Sequence, residues 1–204
     1  MDHSKTTKPT IVLVHGAFSS PNAFNYIRVS VHDIARFVDF EYDWELPTTI
    51  NAMKLAAVVN DISGPVIVLG HSLGGNVAIL ATQHVITPNL VRVITIGSPL
   101  GGSKMASVLK IMYPSVQVFR HICTSSPHIV ALRQFTPNVP VFSLVTKKDL
   151  GPMQYEASDG VVTLKSQMAL PYPSYIQLNY GHTEVLLTNE TIEILRRLIT
   201  TPSR

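Results

Sequence analysis

The chain has 204 residues, 46% hydrophobic and only 14% charged, with 16 basic against 13 acidic residues and a net charge of +3. Soluble proteins average about 25% charged residues. Disorder, which needs low hydrophobicity and high net charge, is excluded, and so is a nucleic-acid binder built on clustered Lys and Arg.

No apolar run approaches the ~18 residues of a membrane-spanning helix, and residues 1–10 hold no apolar signal segment. The single cysteine, Cys123, allows no internal disulfide. One cytoplasmic domain spanning 1–204 is the expectation.

Residues 10–15 form a β-branched apolar run and predict a buried strand that stops at Gly16. Ser20 and Pro21 predict the cap and first residue of a helix carrying Phe24 and Ile27. Residues 39–45 alternate strictly, with Phe40, Tyr42 and Trp44 on one face and Asp39, Glu41, Asp43 and Glu45 on the other. That pattern predicts a half-buried edge strand. Its carboxylates do not form a closed ligand shell, so no metal site is expected there.

Residues 49–63 predict a helix stopped by Gly64 and Pro65. An apolar strand follows at 66–69, a helix at 74–86 and a strand at 91–96. Residues 100–137 interrupt the rhythm, with Met105, Val108, Leu109 and Met112 on one helical face. That insert is expected to be either a lid or a docked core helix. Further strands are predicted at 139–145 and 175–178, and a final helix at 189–199, with Glu190 and Arg196–Arg197 complementing its dipole. Alternating strands and helices specify an α/β fold: a mostly parallel sheet with helices on both faces.

Gly70-His71-Ser72-Leu73-Gly74 fits G-x-S-x-G, in which a serine sits on a sharp strand-to-helix turn. The flanking positions approach too closely for side chains, hence Gly70 and Gly74. The hydroxyl stands at a helix N-terminus, where developing negative charge is stabilised.

Serine needs a base held by an acid, in chain order Ser, acid, His. Of the later histidines, His182 lies between the last strand and the final helix. His84 falls about three turns along the helix, out of reach. His121 and His128 lie in the insert and are expected to pack there or face solvent. His71 is expected to point away from the serine, toward packing. Asp149 and Asp159 both precede His182, and spacing does not separate them. Two backbone N–H donors are needed for an oxyanion, from Leu73 and from Ala17 in the loop after the first strand.

With these segments in place, the chain resembles the α/β-hydrolases, and more narrowly small bacterial lipases and esterases. The likeness is carried by His15-Gly16-Ala17-Phe18, by residues 70–75, by residues 95–103, by Ser158-Asp159-Gly160 with Ser166, and by Gly181-His182. A similar set occurs in inositol deacylases acting on lipid anchors. The resemblance implies Ser72 as nucleophile, His182 as base, Asp159 rather than Asp149 as acid, and Ala17 with Leu73 as oxyanion donors. It implies a fold of about six strands lacking the first two of the full family sheet.

The activity implied is hydrolysis of carboxylic esters with an apolar acyl part. A thioesterase, amidase or acyltransferase would use the same triad, and a binding module would keep the fold without the chemistry. No cofactor or metal is called for. The expected partners are an ester or lipid substrate, with transient lipid-surface contact through 100–137 and no nucleic acid.

Overall fold

The computed structural model describes residues 8–148 and 156–202. Asp149, the alternative acid, lies outside the described residues.

Six strands form one all-parallel sheet: β1 (Thr10–Val14), β2 (Arg36–Phe40), β3 (Val66–His71), β4 (Leu90–Ile96), β5 (Val141–Thr146) and β6 (Ser174–Leu178). Their order is β2-β1-β3-β4-β5-β6. The chain steps outward from β1 to β2, then returns to the other side of β1 for β3. In open α/β sheets the crevice beyond the carboxyl ends of strands at such a switch is where ligands bind. The loop after β1 and the turn after β3 both open there.

Residue alternation divides the apolar side chains between two layers. Val12, Val14, Val66 and Val68 face α2 (Thr48–Asp61), α3 (Leu73–Ala81) and α6 (Pro127–Gln134). Ile11, Leu13, Ile67 and Leu69 face α1 (Asn25–Val31) and α8 (Asn189–Thr200). Burial on both sides explains the unbroken apolar runs of β1 and β3 and the scarcity of charge. The remaining helices are α4 (Lys104–Met112), α5 (Val118–His121) and α7 (Leu164–Gln167).

The predicted strand at 39–45 is displaced: β2 occupies Arg36–Phe40, at the sheet edge as expected. β1 pairs with it only as far as Val14 with Phe40, so residues beyond 40 have no partner strand. The alternation there serves loop packing instead. Tyr42 stacks on His15 and donates its hydroxyl to the His15 carbonyl at 2.7 Å. Trp44 packs on Phe18, their ring centres 4.3 Å apart.

The helix after the elbow ends at Ala81 rather than 86, because residues 82–84 turn back onto its last carbonyls. Ser20 makes no side-chain cap, and a 3-10 turn (Pro21–Phe24) precedes α1. On the predicted apolar face of α4, Val108 and Met112 are exposed. His121 and His128 pack together, their ring centres 6.2 Å apart, with His128 buried. Among the described residues no helix is long and apolar enough to cross a membrane.

Candidate active site

β3 ends at His71 and α3 begins at Leu73, so Ser72 must reverse the chain in a single residue. It does so at φ 53° and ψ −125°. Such a conformation costs a non-glycine residue about 1–3 kcal/mol, held by the surrounding structure. Gly70 and Gly74 make the turn sterically possible. A Cβ on Gly74 would stand 2.1 Å from the Val14 carbonyl oxygen, and one on Gly70 would stand 2.5 Å from the Gly74 carbonyl. The Ser72 N–H is tied to the Ile96 carbonyl at 2.9 Å, which holds the turn to β4.

The structure brings Ser72, His182 and Asp159 together from three separate loops. His182 Nε2 lies 3.0 Å from Ser72 Oγ, and its Nδ1 lies 2.7 Å from Asp159 Oδ2. The Asp159 side chain is fully buried and that of His182 nearly so. Burial raises the pKa of Asp159. The hydrogen bond and charge of His182, then the Thr146 hydroxyl and the Val162 amide, outweigh it and hold the carboxyl below its usual range. Asp159 therefore only accepts, which puts the His182 proton on Nδ1 and leaves Nε2 bare toward the serine.

Sequence reasoning missed the groups that orient the acid. Thr146, at the end of β5, donates its hydroxyl to Asp159 Oδ2 at 2.5 Å. The Val161 and Val162 amides donate to Oδ1 at 2.9 and 2.7 Å. Gln167 of α7 is buried; its Oε1 accepts from the Thr146 N–H at 2.7 Å and its Nε2 donates to the Thr146 carbonyl at 2.8 Å. Nothing in the local pattern marks Gln167, whereas Thr146 stands at the carboxyl end of a mostly apolar strand.

Leu73 opens α3, and Ala17, in the loop after β1, lines the same cavity as Ser72. The first N–H groups of a helix, here beginning with that of Leu73, have no intrahelical partner. A cavity of about 340 Å³ opens over the serine. It is lined by Ala17, Phe18, Ala23, Leu186 and Leu187 as well as by Ser72 and His182. A larger cavity, about 650 Å³, lies between residues 101–104 and 161–169 and does not reach Ser72. The chemistry assigns the site to the smaller one.

His84 is exposed and lies beyond the end of α3. His71 is buried, and its ring packs against that of His182, with centres 4.8 Å apart. Among the described residues no group of three or more His, Cys, Asp or Glu side chains is placed to hold a metal ion.

A model of the alpha/beta hydrolase family matches residues 11–176, a span that includes Ser72 and Asp159 and stops short of His182. Comparison with curated protein sequences found no match. Among solved structures, the chain is similar to a lipase of Bacillus licheniformis in its mature form. The two are 24% identical, with 98% of this chain and 96% of that one covered at a TM-score of 0.79. It is also similar to the phospholipase PlaB of Legionella pneumophila, at 14% identity and a TM-score of 0.74. There 96% of this chain spans only 59% of the other. A third similar structure is an alpha/beta hydrolase enzyme from a lagoon-sediment metagenome, 20% identical, covering 93% and 90% of the two chains at a TM-score of 0.64. At these identities the likeness is one of fold.

Proposed function

This chain belongs to the alpha/beta hydrolase family, and on that premise we propose that it is a serine hydrolase that cleaves carboxylic esters with an apolar acyl part. The observation that carries the reading is the unbroken relay from Ser72 Oγ through His182 to Asp159, at 3.0 and 2.7 Å.

Ser72 Oγ attacks the ester carbonyl while His182 Nε2 takes its proton. Asp159 keeps the imidazole in the required tautomer and stabilises the imidazolium. The Ala17 and Leu73 amides hold the oxyanion. His182 then gives its proton to the leaving alcohol. The acyl-enzyme is hydrolysed by a water that His182 activates in turn. The cavity over Ser72 is at the small end of the ~300–1,000 Å³ typical of ligand pockets and is walled by Phe18, Leu186 and Leu187. That supports an apolar acyl group of modest length.

The test is labelling with a serine-directed fluorophosphonate, alongside hydrolysis of matched oxygen esters, thioesters and amides. Expected results are labelling that vanishes in Ser72→Ala and a preference for oxygen esters. Labelling that survives in Ser72→Ala would overturn the nucleophile. A clear preference for thioesters or amides would overturn the substrate class.

A further inference from the structure

His71 is the residue between β3 and the nucleophile. Its side chain projects to the same sheet face as Ile67 and Leu69, two and four residues before it. That places the ring beneath the loop that carries His182. Its Nε2 lies 2.9 Å from the His182 carbonyl oxygen. A carbonyl only accepts, so this nitrogen carries the proton and donates. His71 Nδ1 is then a bare acceptor, buried and with no partner among the described residues. Burying an unpaired acceptor is unfavourable, and an aliphatic side chain would fill the same space without one. The bond from Nε2 is what the imidazole supplies there and a hydrocarbon does not.

We propose that His71 is a positioning residue for the base, tying the nucleophile's own strand to the loop that carries His182. This inference rests on the serine-hydrolase reading above. The His182 N–H donates to the Asp159 carbonyl at 3.0 Å, and its C=O accepts from His71, so both backbone polar groups of the base are fixed. One of those ties comes from the residue covalently joined to Ser72. The separation of Ser72 Oγ from His182 Nε2 is therefore set across one peptide unit and one hydrogen bond. Groups held by such supporting bonds keep reacting atoms within the few tenths of an ångström that catalysis requires. Burial, then the neighbouring His182 ring, pulls the His71 pKa down to about 4, against the opposing pull of its bond to the His182 carbonyl and of Asp159. The ring is thus neutral and does not oppose the cation that forms on His182.

The experiment measures kcat, KM and thermal midpoint on a short-chain p-nitrophenyl ester for His71→Leu, His71→Asn and His71→Gln. Glutamine places an N–H donor where Nε2 stands, while asparagine falls short of it and leucine has none. Expected is a tenfold to hundredfold loss of kcat in His71→Leu and His71→Asn with KM within twofold, and recovery to within threefold of wild type in His71→Gln. A space-filling role predicts no such rescue. Should His71→Leu fail to fold, the asparagine and glutamine variants carry the test between them. Equal kcat in these two, or an unchanged kcat in folded His71→Leu, would overturn the proposal. A wild-type protein with no Ser72-dependent activity overturns the function and this inference together. An active wild type whose His71 variants behave alike overturns this inference alone.

Discussion

The His182 loop follows the carboxyl end of β6 and helix α4 follows the carboxyl end of β4, yet the protein holds them differently. His182 has its N–H, its C=O and both ring nitrogens engaged, with Asp159, His71 and Ser72 as partners. Helix α4 leaves Val108, Ile111 and Met112 in solvent, and Tyr113 just after it is half exposed. Its segment is joined to the body by scattered ties. The His121 Nε2 lies 3.1 Å from the Glu45 carbonyl, and the Gln117 N–H reaches Glu45 Oε2 at 2.6 Å. The base sits where redundant buried bonds leave it one position. Apolar side chains left in solvent on one helix are the mark of a unit of low local stability. Within residues 100–137, α6 by contrast packs into the core through Ile129 and Leu132.

The largest expected effect breaks the rigid side of this contrast. Ser72→Ala should lower kcat by roughly 10⁵–10⁶-fold with the fold intact, the loss typical when the nucleophile of a triad is removed. Thermal midpoint and ester turnover measured together check it. Asp159→Asn should cost roughly 10⁴-fold, because an amide does not hold the productive tautomer. The cost of Asp149→Asn should be far smaller, and the reverse order would exchange the two acids.

The same acid carries a pH signature. Its folded pKa lies below the unfolded value, so its stabilisation is present above the ordinary carboxylate range and is lost as pH falls through the lowered folded value. The difference in thermal midpoint between wild type and Asp159→Asn should therefore hold at neutral pH and shrink progressively as pH falls below the ordinary carboxylate range. Unfolding scans at a series of pH values test this.

Thr146→Val removes one hydroxyl that orients Asp159 and keeps the shape. About 1.5–3 kcal/mol is expected from a bond to an ionised group, read as roughly tenfold to hundredfold in kcat, with KM unchanged. The smallest effects belong to α4. Ile111→Ser and Met112→Ser should change stability by no more than about 0.5 kcal/mol. Amide exchange should be faster in α4 than in α3. Protection in α4 equal to that of α3 would erase the contrast.

The nucleophile turn was legible from the residues because its constraint is local. Gly70, Ser72 and Gly74 have to carry those side chains for the turn to close. The strands were legible for a related reason: a sheet buried on both faces needs continuous apolar runs. Residues 39–45 misled because period-2 alternation also fits a loop whose aromatics pack on a neighbour, here Tyr42 on His15 and Trp44 on Phe18. Thr146 and Gln167 were not legible as a pair. Their role depends on Asp159 arriving between them from a separate loop.

The sequence by itself determined the α/β class, the elbow at Ser72 and the chain order of serine, acid and histidine, since each follows from neighbours a few residues apart. Only the tertiary structure decided that β2 ends at Phe40, where β1 ceases to offer a partner. It also placed Asp159 against His182 and turned His71 onto the carbonyl of the base. Those contacts join residues 23 and 111 positions apart. Separations of that size are closed by sheet pairing and core burial, which no local pattern encodes.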